Sequence, residues 1–536
     1  MGKMKKLGAL ILAIALIASV GGCGSGNVTP AAPTDTATPS ASSSSDPEPA
    51  NLYPDPSKPV EFTFFADCTW LAYDTVDGIV GEELKKQTGV TFDFTKSTDG
   101  EQLNLLISSG DLPDLIMASG KKKLSKLSSS EYCYSFDELI QQYAPDWEIP
   151  EVVKKLNASY STDGKYYMLK NEFNTIDEIK ASKTVGPNFG QLHMRDDIYK
   201  ALGSPSIKNK DEFIALLTAV KEKYPDMIPL VLNMREYSGL GQLVGFNPGM
   251  PTDSNGNFAW YLSDPLFREY LKAVNELYRK GLILKENIAY DTDEKVFQHV
   301  YSGKAFMVSH YAGNDEQSFT ANVQKVNPNA SFVQVPLMEK WVNTISVTGW
   351  AGLFITKNNR NPETAIKLLR WAKEPKNQIT LMTGVEGVDW KDDGMGGFTL
   401  LDRRIQAMKE GTIDSDYKCL SFLLSATDYV RESTNFFTSA TDSTKAIFQD
   451  ATKRTKWSNV LDLCYPNAGT EEEIVSTKLS NLFIEYEGLL LSAASEDEFN
   501  KHYDKMLQEA EKIGMGKLNE FLAKTYADTS ARFGTK

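Results

Sequence analysis

The chain has 536 residues and a formal net charge of −14, with 57 basic and 71 acidic side chains. A chain this acidic is repelled by phosphate backbones and anionic lipid, so its composition argues against nucleic-acid binding. Its length is enough for about two or three domains. The 4 histidines and 5 cysteines include no pair at metal-ligand spacing, so we expect no metal and no other cofactor.

Residues 1–22 have the pattern of an export signal. Three lysines precede the apolar run Leu7–Val20, and two glycines lead from this run to Cys23. A basic start, a short apolar core and small residues at a cleavage site are typical of secretory signals, and the run is shorter than the about 20 residues that span a bilayer. A cysteine directly after the small residues resembles a bacterial lipobox, which implies cleavage before Cys23 and lipidation of its side chain. The alternative is an ordinary signal with a chance cysteine.

Residues 23–57 form a predicted tether. They consist almost entirely of Gly, Pro, Ala, Thr, Ser and Asp, with consecutive serines at 42–45. Such a composition cannot bury a core and favours disorder. With an acylated Cys23, the tether would hold the folded body on the outer face of a bacterial cell membrane. We expect a cell without an outer membrane, because there an unanchored protein would diffuse away.

The folded body opens with alternating strands and helices. Strand formers dominate Pro59–Ala66, Val90–Thr95 and Leu112–Met117. Between them lie two amphipathic stretches; the first ends at Gly89 and the second opens with a capping box at Thr98–Glu101. This order predicts a parallel sheet with helices on its faces.

A second α/β unit begins near residue 188. Predicted strands lie at Phe189–Met194, Ile228–Leu232 and Lys304–Ser309, and apolar residues at 267–278 form the stripe of an amphipathic helix. After Pro336 comes another strand at 347–356 and a helix that starts at Asn361 and Pro362. From about 401 to the end the pattern is mostly helical.

Several short motifs carry a family resemblance. In this order and spacing, behind a lipobox and a tether, they resemble the extracellular solute-binding proteins of ABC importers. The nearest group is the oligosaccharide-binding family 1 in its large lipoprotein branch. The motifs are Gly110–Ile116, Asp163–Met168, Met194–Gly203, Glu276–Leu282, Ser302–Met307 and Gly384–Trp390.

The resemblance implies a two-lobed α/β fold of the periplasmic-binding-protein type II class, with parallel-rich sheets flanked by helices and a helical C-terminal region. Lobe 1 would comprise 58–187 and 338–400, and lobe 2 would comprise 188–337 and 401–536. The chain would cross between lobes near Gly186–Gln191 and again near Gln334–Leu337.

The resemblance also implies a function without catalysis. Such proteins bind solute between the lobes and close like a hinge, and a membrane permease recognises the closed form. We therefore expect a monomer with a carbohydrate ligand, ABC permease subunits as partners, and membrane attachment through the lipid anchor. A lipid-anchored glycan-active enzyme, or a binder or sensor partner outside transport, is the alternative.

A sugar site needs carboxylates and amides for hydroxyl groups and flat aromatics for ring faces. Ligands of open α/β sheets bind beyond the carboxyl ends of strands. Residues of the right type follow predicted strands or lie in the glycine-rich loop at 384–390. We predict a ligand site built from Asp67, Trp70, Arg235, Tyr237, His310, Tyr311, Trp350, Glu386 and Trp390, with Asn435 and Phe436 as weaker candidates.

Two features leave questions open. In maltose-binding relatives an aromatic residue that stacks on sugar follows the Pro-Asp strand, whereas this chain has Ala118–Lys123 at that place. The cysteines at 68, 133, 419 and 464 allow one or two disulfides, but their spacing does not pair them.

Overall fold

Two β-sheets organise the chain, and each has its own hydrophobic core. Both belong to one compact unit, residues 51–536. The structure, a computed structural model, describes residues 52–182, 184–186, 190–232, 237–290, 293–310, 315–394, 397–467 and 469–534.

The strands are short, and most are buried. They are β1 Val60–Ala66, β2 Val90–Lys96, β3 Leu115–Ser119, β4 Met168–Lys170, β5 Gln191–Arg195, β6 Ile228–Leu232, β7 Ala305–His310, β8 Phe332–Gln334, β9 Asn343–Ser346, β10 Ala351–Ile355, β11 Trp390–Asp392, β12 Phe398–Leu400 and β13 Thr455–Ser458.

The helices cover the sheets and make up most of the C-terminal part. They are α1 Ile79–Thr88, α2 Gln102–Ser109, α3 Lys121–Leu127, α4 Phe136–Tyr143, α5 Glu151–Ala158, α6 Ile176–Ala181, α7 Asp196–Ala201, α8 Lys210–Lys223, α9 Pro265–Arg279, α10 Asp293–Tyr301, α11 Asp315–Val323, α12 Pro362–Lys373, α13 Pro375–Thr383, α14 Asp402–Glu410, α15 Tyr429–Ser439, α16 Asp442–Arg454, α17 Leu461–Cys464, α18 Glu471–Ser492, α19 Glu496–Ile513 and α20 Met515–Phe533. Short 3₁₀ helices occur at Tyr237–Leu243, Tyr261–Ser263 and Lys285–Ala289, and one π turn occurs at Ile413–Tyr417.

The first sheet has the order β2-β1-β3-β10-β4. Strand β1 is parallel to β2 and β3, whereas β10 runs antiparallel to β3 and β4. Successive side chains of a strand point to opposite faces. In β3, Leu115 and Met117 pack in one core, while Ile116 and Ala118 pack in the other. The sheet is therefore buried on both faces.

The second sheet has the order β6-β7-β5-β8, with one parallel pair, β6 and β7. The last helices complete its core: Leu479 and Tyr486 of α18, and Phe499 of α19, pack with Leu271 of α9. Asn275 ties this layer together, because its amide donates to the carbonyls of Leu491 and Ala493 at the end of α18.

Both sheets are mixed, where the sequence pattern predicted mainly parallel ones. Parallel pairing occurs in the βαβ units that the pattern identified. The antiparallel pairs come from strands such as β10, which return from the other half of the molecule and so run against their neighbours. These antiparallel pairs join strands that are far apart in the sequence, so local hydrophobic periodicity cannot predict them.

The two halves are joined by extended segments. The chain leaves the first sheet after β4 and enters the second at β5, and it returns between β8 and β10. The predicted crossings at 186–191 and 334–337 overlap these two segments, with Gln191 already in β5 and Gln334 still in β8, and 187–189 lie outside the described residues. Strand β9, within the second crossing segment, pairs in parallel with β13, Thr455–Ser458. This pairing places the chain around β13 beside the second crossing.

One predicted boundary needs correction. The expected second lobe included all of 401–536, but Ala407, Tyr417, Leu420 and Leu424 are buried in the core of the first sheet. Helical periodicity identifies the buried face of a helix but not the sheet against which it packs.

The four cysteines of the folded body, Cys68, Cys133, Cys419 and Cys464, are free thiols. Among the described residues, no helix has both the length and the hydropathy of a membrane span.

Candidate ligand-binding site

Three aromatic side chains, Trp70, Trp350 and Phe422, form a cluster at one edge of the first sheet. The ring centroids of Trp70 lie 6.0 Å from Trp350 and 5.5 Å from Phe422, and Trp350 and Phe422 are 6.2 Å apart. Trp70 is 61% exposed and Trp350 is 37% exposed. Large aromatic side chains left in contact with water at one place mark a surface that binds something. We call these three residues the aromatic cluster.

Chain direction places the cluster at this edge. Trp70 follows the carboxyl end of β1, and Trp350 precedes the amino end of β10. Because β10 runs antiparallel to β3, which is parallel to β1, these two ends meet at the same side of the sheet. Trp350 also directly follows a crossing segment, so the cluster lies where the chain enters the first half from the second.

The backbone at Trp350 is tightly held. The side-chain Oδ1 of Asn171 accepts hydrogen bonds from the backbone N–H groups of Trp350 and Ala351, at 3.2 and 3.0 Å. Gly349 has a φ of +77°, and a Cβ there would lie 1.7 Å from the carbonyl oxygen of Asn171. Only glycine fits this turn, which sets the direction in which the Trp350 side chain leaves the backbone.

A pair of carboxyl groups lies next to the aromatic cluster. Trp350 donates its indole N–H to Oε1 of Glu172 over 2.6 Å. Glu432 of α15 lies within hydrogen-bonding reach of Glu172. Burial raises the pKa of Glu172, and burial together with the adjacent Glu172 carboxylate raises the pKa of Glu432 well above its ordinary value. Burial and a neighbouring like charge both favour the protonated form of a carboxyl group.

Lys170 lies two residues before Glu172 but is directed elsewhere. Its ammonium donates to the hydroxyl of Tyr160 at 3.0 Å and lies 3.9 Å from Asp462. Asp462 also accepts hydrogen bonds from Ser346 and Thr348 of the crossing segment. This buried polar network ties β4 to the crossing, and the charge of Lys170 partly offsets the rise in the pKa of Glu172.

Asp67 was predicted as a ligand residue, but the structure places it in a buried ion pair. It is 9% exposed, and Lys123 donates to its two oxygens at 3.0 and 2.7 Å. A buried carboxylate needs a hydrogen-bonded cation. The polar stretch 118–123, where relatives carry an aromatic residue, supplies that cation.

Trp390 and Glu386 do not join the aromatic cluster. Trp390 is fully buried with Ile379, Met382 and Phe398, and its indole N–H donates to the carbonyl of Gly384. Glu386 pairs with Lys376 at 3.0 Å. The glycine-rich loop is thus folded around its own small core, which encloses Trp390 and leaves Glu386 at the surface.

The candidates from the second half divide into two groups. His310 packs against Phe297 and Phe319 and lies 3.4 Å from Asp293, which places it in a local cluster at the end of β7. Arg235 and Tyr311 lie outside the described residues, as does the side chain of Tyr237, whose backbone starts a 3₁₀ helix. These three stay predictions.

The weaker candidates Asn435 and Phe436 both lie on α15. The side chain of Phe436 is not among those that the structure describes. Cys23 and the tether lie outside the described residues as well.

Sequence reasoning missed Phe422, Glu172 and Glu432. Phe422 lies in the segment assigned to the other lobe, and no local pattern marks it. Glu172 lies two residues after β4, and its φ of 51°, which is unusual for a residue with a side chain, is visible only in the structure. Glu432 lies on α15 and meets Glu172 only through the tertiary structure.

A second concave surface lies apart from this site. A cavity of about 440 Å³ on the second half is lined by charged residues of α9 and its neighbours. Four of these residues form the pairs Lys210–Glu276 and Lys272–Glu496, at 2.9 and 2.8 Å. Exposed ion pairs of this kind are typical of a solvated surface.

Two halves, each centred on a sheet and joined by crossing segments, define a two-lobed binding protein. The exposed aromatic cluster lies where a crossing enters the first half. The chain belongs to the bacterial extracellular solute-binding protein family, whose sequence pattern matches residues 72–379. This confirms the resemblance seen in the short motifs.

Curated relatives agree with the family. The chain is 25% identical over 370 residues to the fructooligosaccharide ABC transporter substrate-binding protein FusA of Streptococcus pneumoniae, covering 63% of this chain and 64% of FusA. It is 24% identical over 352 residues to lipoprotein LipO of Bacillus subtilis, covering 61% of this chain and 66% of LipO. The chain therefore spans just under two thirds of the length of these relatives.

Solved structures share the fold. The alginate-binding protein AlgQ2, solved without calcium, aligns with a TM-score of 0.66 and 18% identity, over 90% of this chain and 100% of that one. FusA of S. pneumoniae in complex with kestose aligns at 0.61 and 18%, over 88% and 100%. The N-glycan transport protein NgtS of S. pneumoniae aligns at 0.57 and 15%, over 88% and 99%. These likenesses confirm the predicted two-lobed α/β fold class.

Proposed function

We propose that this protein is the solute-binding component of an ABC importer and that its ligand is an oligosaccharide. The observation that carries the proposal is the exposed aromatic cluster beside the Glu172–Glu432 pair. Indole faces stack on sugar rings, and carboxyl groups bind hydroxyl groups, so together they meet the two requirements of a sugar site. FusA and NgtS, which share the fold, are named for fructooligosaccharide and N-glycan transport.

In this proposal the ligand binds between the lobes and closes them. Closure is favoured only by contacts that the closed state makes and the open state lacks, so both lobes must contribute. The aromatic cluster is the contribution of the first lobe. Arg235, Tyr237 and Tyr311, which lie at or after strand ends of the second lobe, are the proposed partners. The closed form is then recognised by a membrane permease.

The proposed attachment is a lipid on Cys23, followed by the tether of residues 23–57. The support is the lipobox-like pattern and the similarity to LipO, a relative named as a lipoprotein. Cys23→Ser is expected to move the protein from the membrane fraction to the culture medium. Retention of this variant at the membrane would contradict the anchor, and an otherwise identical Cys68→Ser variant is the control.

A glycan-cleaving enzyme is the alternative to consider, because glycosidases also use two carboxyl groups. Glycosidases hold their two carboxyl groups at least about 5 Å apart, one on each side of the scissile bond. Glu172 and Glu432 instead lie within hydrogen-bonding reach of each other, and burial raises the pKa of both carboxyl groups. This arrangement suits binding of hydroxyl groups, and it favours transport over hydrolysis.

The test is isothermal titration calorimetry of residues 24–536 against neutral oligosaccharides of different sugar composition and linkage, with oligopeptides as the comparison class. We expect a saturable heat with at least one oligosaccharide and none with peptides. Small-angle scattering should show a more compact particle with that sugar. Heat with peptides alone would overturn the proposed ligand class, and release of shorter sugars during the titration would support the enzyme.

A further inference from the structure

The Glu172–Glu432 pair forms a polar wall beside the aromatic cluster. Glu172 is fixed at both ends, because its side chain accepts the Trp350 indole N–H and its backbone N–H donates to the carbonyl of Thr427 at 2.7 Å. Oε2 of Glu432 is buried and has no hydrogen-bond partner among the described residues. The same holds for the hydroxyl of Thr427, a residue that is 1% exposed. Buried polar atoms without partners are rare and point to a ligand or a functional role.

The cations on the elements that form this wall already have acidic partners. On the strand side, the Lys170 ammonium donates to Tyr160 and lies 3.9 Å from Asp462. On α15, Arg431 pairs with Asp428 at 3.7 Å. Glu172 contacts the aromatic cluster directly, because its carboxyl group accepts the Trp350 indole N–H. An anion that reached this carboxyl group would meet a like charge there.

We propose that the Glu172–Glu432 pair makes the site selective for neutral oligosaccharides and that it rejects the same sugars when they carry a uronate carboxylate. This rests on the proposed function and specifies its ligand class. A sugar hydroxyl can donate a hydrogen bond, so it matches carboxyl oxygens such as the unpartnered Oε2 of Glu432. A uronate carboxylate only accepts, and it brings a second negative charge into a half-buried wall.

The experiment compares three matched probes by calorimetry near pH 7.5. They are the neutral trisaccharide that binds most tightly in the oligosaccharide panel, the same trisaccharide oxidised to uronate at its primary hydroxyls, and the methyl ester of that product. We expect the uronate to bind at least about tenfold more weakly than the neutral sugar. The ester should recover most of the affinity, because it keeps the added atoms and removes the charge.

One double variant assigns the effect to the pair. Glu172→Gln/Glu432→Gln keeps groups of the same size and removes the negative charge that either single variant would leave, so it should narrow the gap between uronate and ester severalfold. Glu138→Gln, which removes an exposed carboxylate paired with Lys165, should leave the gap unchanged. Thermal unfolding of each variant checks that it is folded.

The outcomes separate this inference from the proposed function. Absence of binding by every saccharide in the panel would overturn the proposed function. Binding of the uronate as tightly as the neutral sugar would overturn the selectivity alone and leave an oligosaccharide-binding protein. An equal gap in wild type and in the double glutamine variant would also overturn it, because the discrimination would then come from other residues.

Discussion

Trp350 donates its indole N–H to Oε1 of Glu172 over 2.6 Å, although the two residues are 178 positions apart in the chain. The bond joins an aromatic face to a carboxyl group in one fixed arrangement. Two neighbouring residues fix the geometry of this bond. The side chain of Asn171 accepts hydrogen bonds from the backbone at Trp350 and Ala351, and Gly349 makes the turn that sets the direction of the indole. A stacking surface and a hydroxyl-binding group are thus positioned together by a few backbone contacts.

Removal of the most exposed ring tests the aromatic cluster. Trp70→Ala should weaken oligosaccharide binding by about 1–2 kcal/mol, because a stacking face is lost. The melting temperature should hardly change, since the side chain is 61% exposed. Calorimetry and thermal unfolding measure the two effects. Leu105→Ala, which removes a side chain that is 68% exposed elsewhere on the lobe, is the matched control. Unchanged affinity in a folded Trp70→Ala protein would remove this residue from the site.

Gly349 offers a test of the turn that aims Trp350. Gly349→Ala should lower the free energy of unfolding by about 2–4 kcal/mol, because the new Cβ would lie 1.7 Å from the Asn171 carbonyl oxygen. Gly387 also has a positive φ, of 80°, but no atom lies within 4 Å of an added Cβ. Gly387→Ala therefore reports backbone strain alone, about 1 kcal/mol. Equal losses in urea denaturation would argue against the close approach at Gly349.

The carboxyl pair predicts a pH dependence of stability. The pKa of Glu432 is raised in the folded protein, so the folded state holds a proton that the unfolded chain releases at lower pH. Its contribution is complete below the ordinary pKa of 4.5 and is lost as the pH rises toward the raised value. Glu432→Gln should flatten this decline, since an amide mimics the protonated acid and does not titrate. Melting temperatures across pH 4–9 measure it, with Glu138→Gln as the control for a lost negative charge.

The Asp67–Lys123 ion pair predicts a structural rather than a binding defect. Asp67→Ala should lower the free energy of unfolding by about 2–3 kcal/mol, because it leaves a largely buried ammonium without its partner. The double variant Asp67→Leu/Lys123→Met should recover part of this loss by removing both charges. The exposed pair Lys165–Glu138 is the comparison, and Glu138→Ala should cost less than about 1 kcal/mol. Ligand affinity that falls in Asp67→Ala, with stability intact, would return Asp67 to the binding site.

Position along the chain predicted part of the site. Trp70 and Trp350 were chosen because they flank strands at an edge where ligands bind, and the structure brings them into contact. The same reasoning also selects Trp390, which begins β11 and is fully buried. Loops can fold around cores of their own, and residue type cannot distinguish a buried indole from an exposed one.

The sequence by itself determined the α/β alternation, the family and the apolar faces that form two cores, because hydrophobic periodicity and short motifs are local properties. Only the tertiary structure decided that 407–426 packs with the first sheet, that Asp67 is neutralised by Lys123, and that Phe422, Glu172 and Glu432 join the two tryptophans. Each of these depends on contacts between residues far apart in the chain. Their free energy comes from burial and charge pairing in three dimensions, which no window of sequence contains.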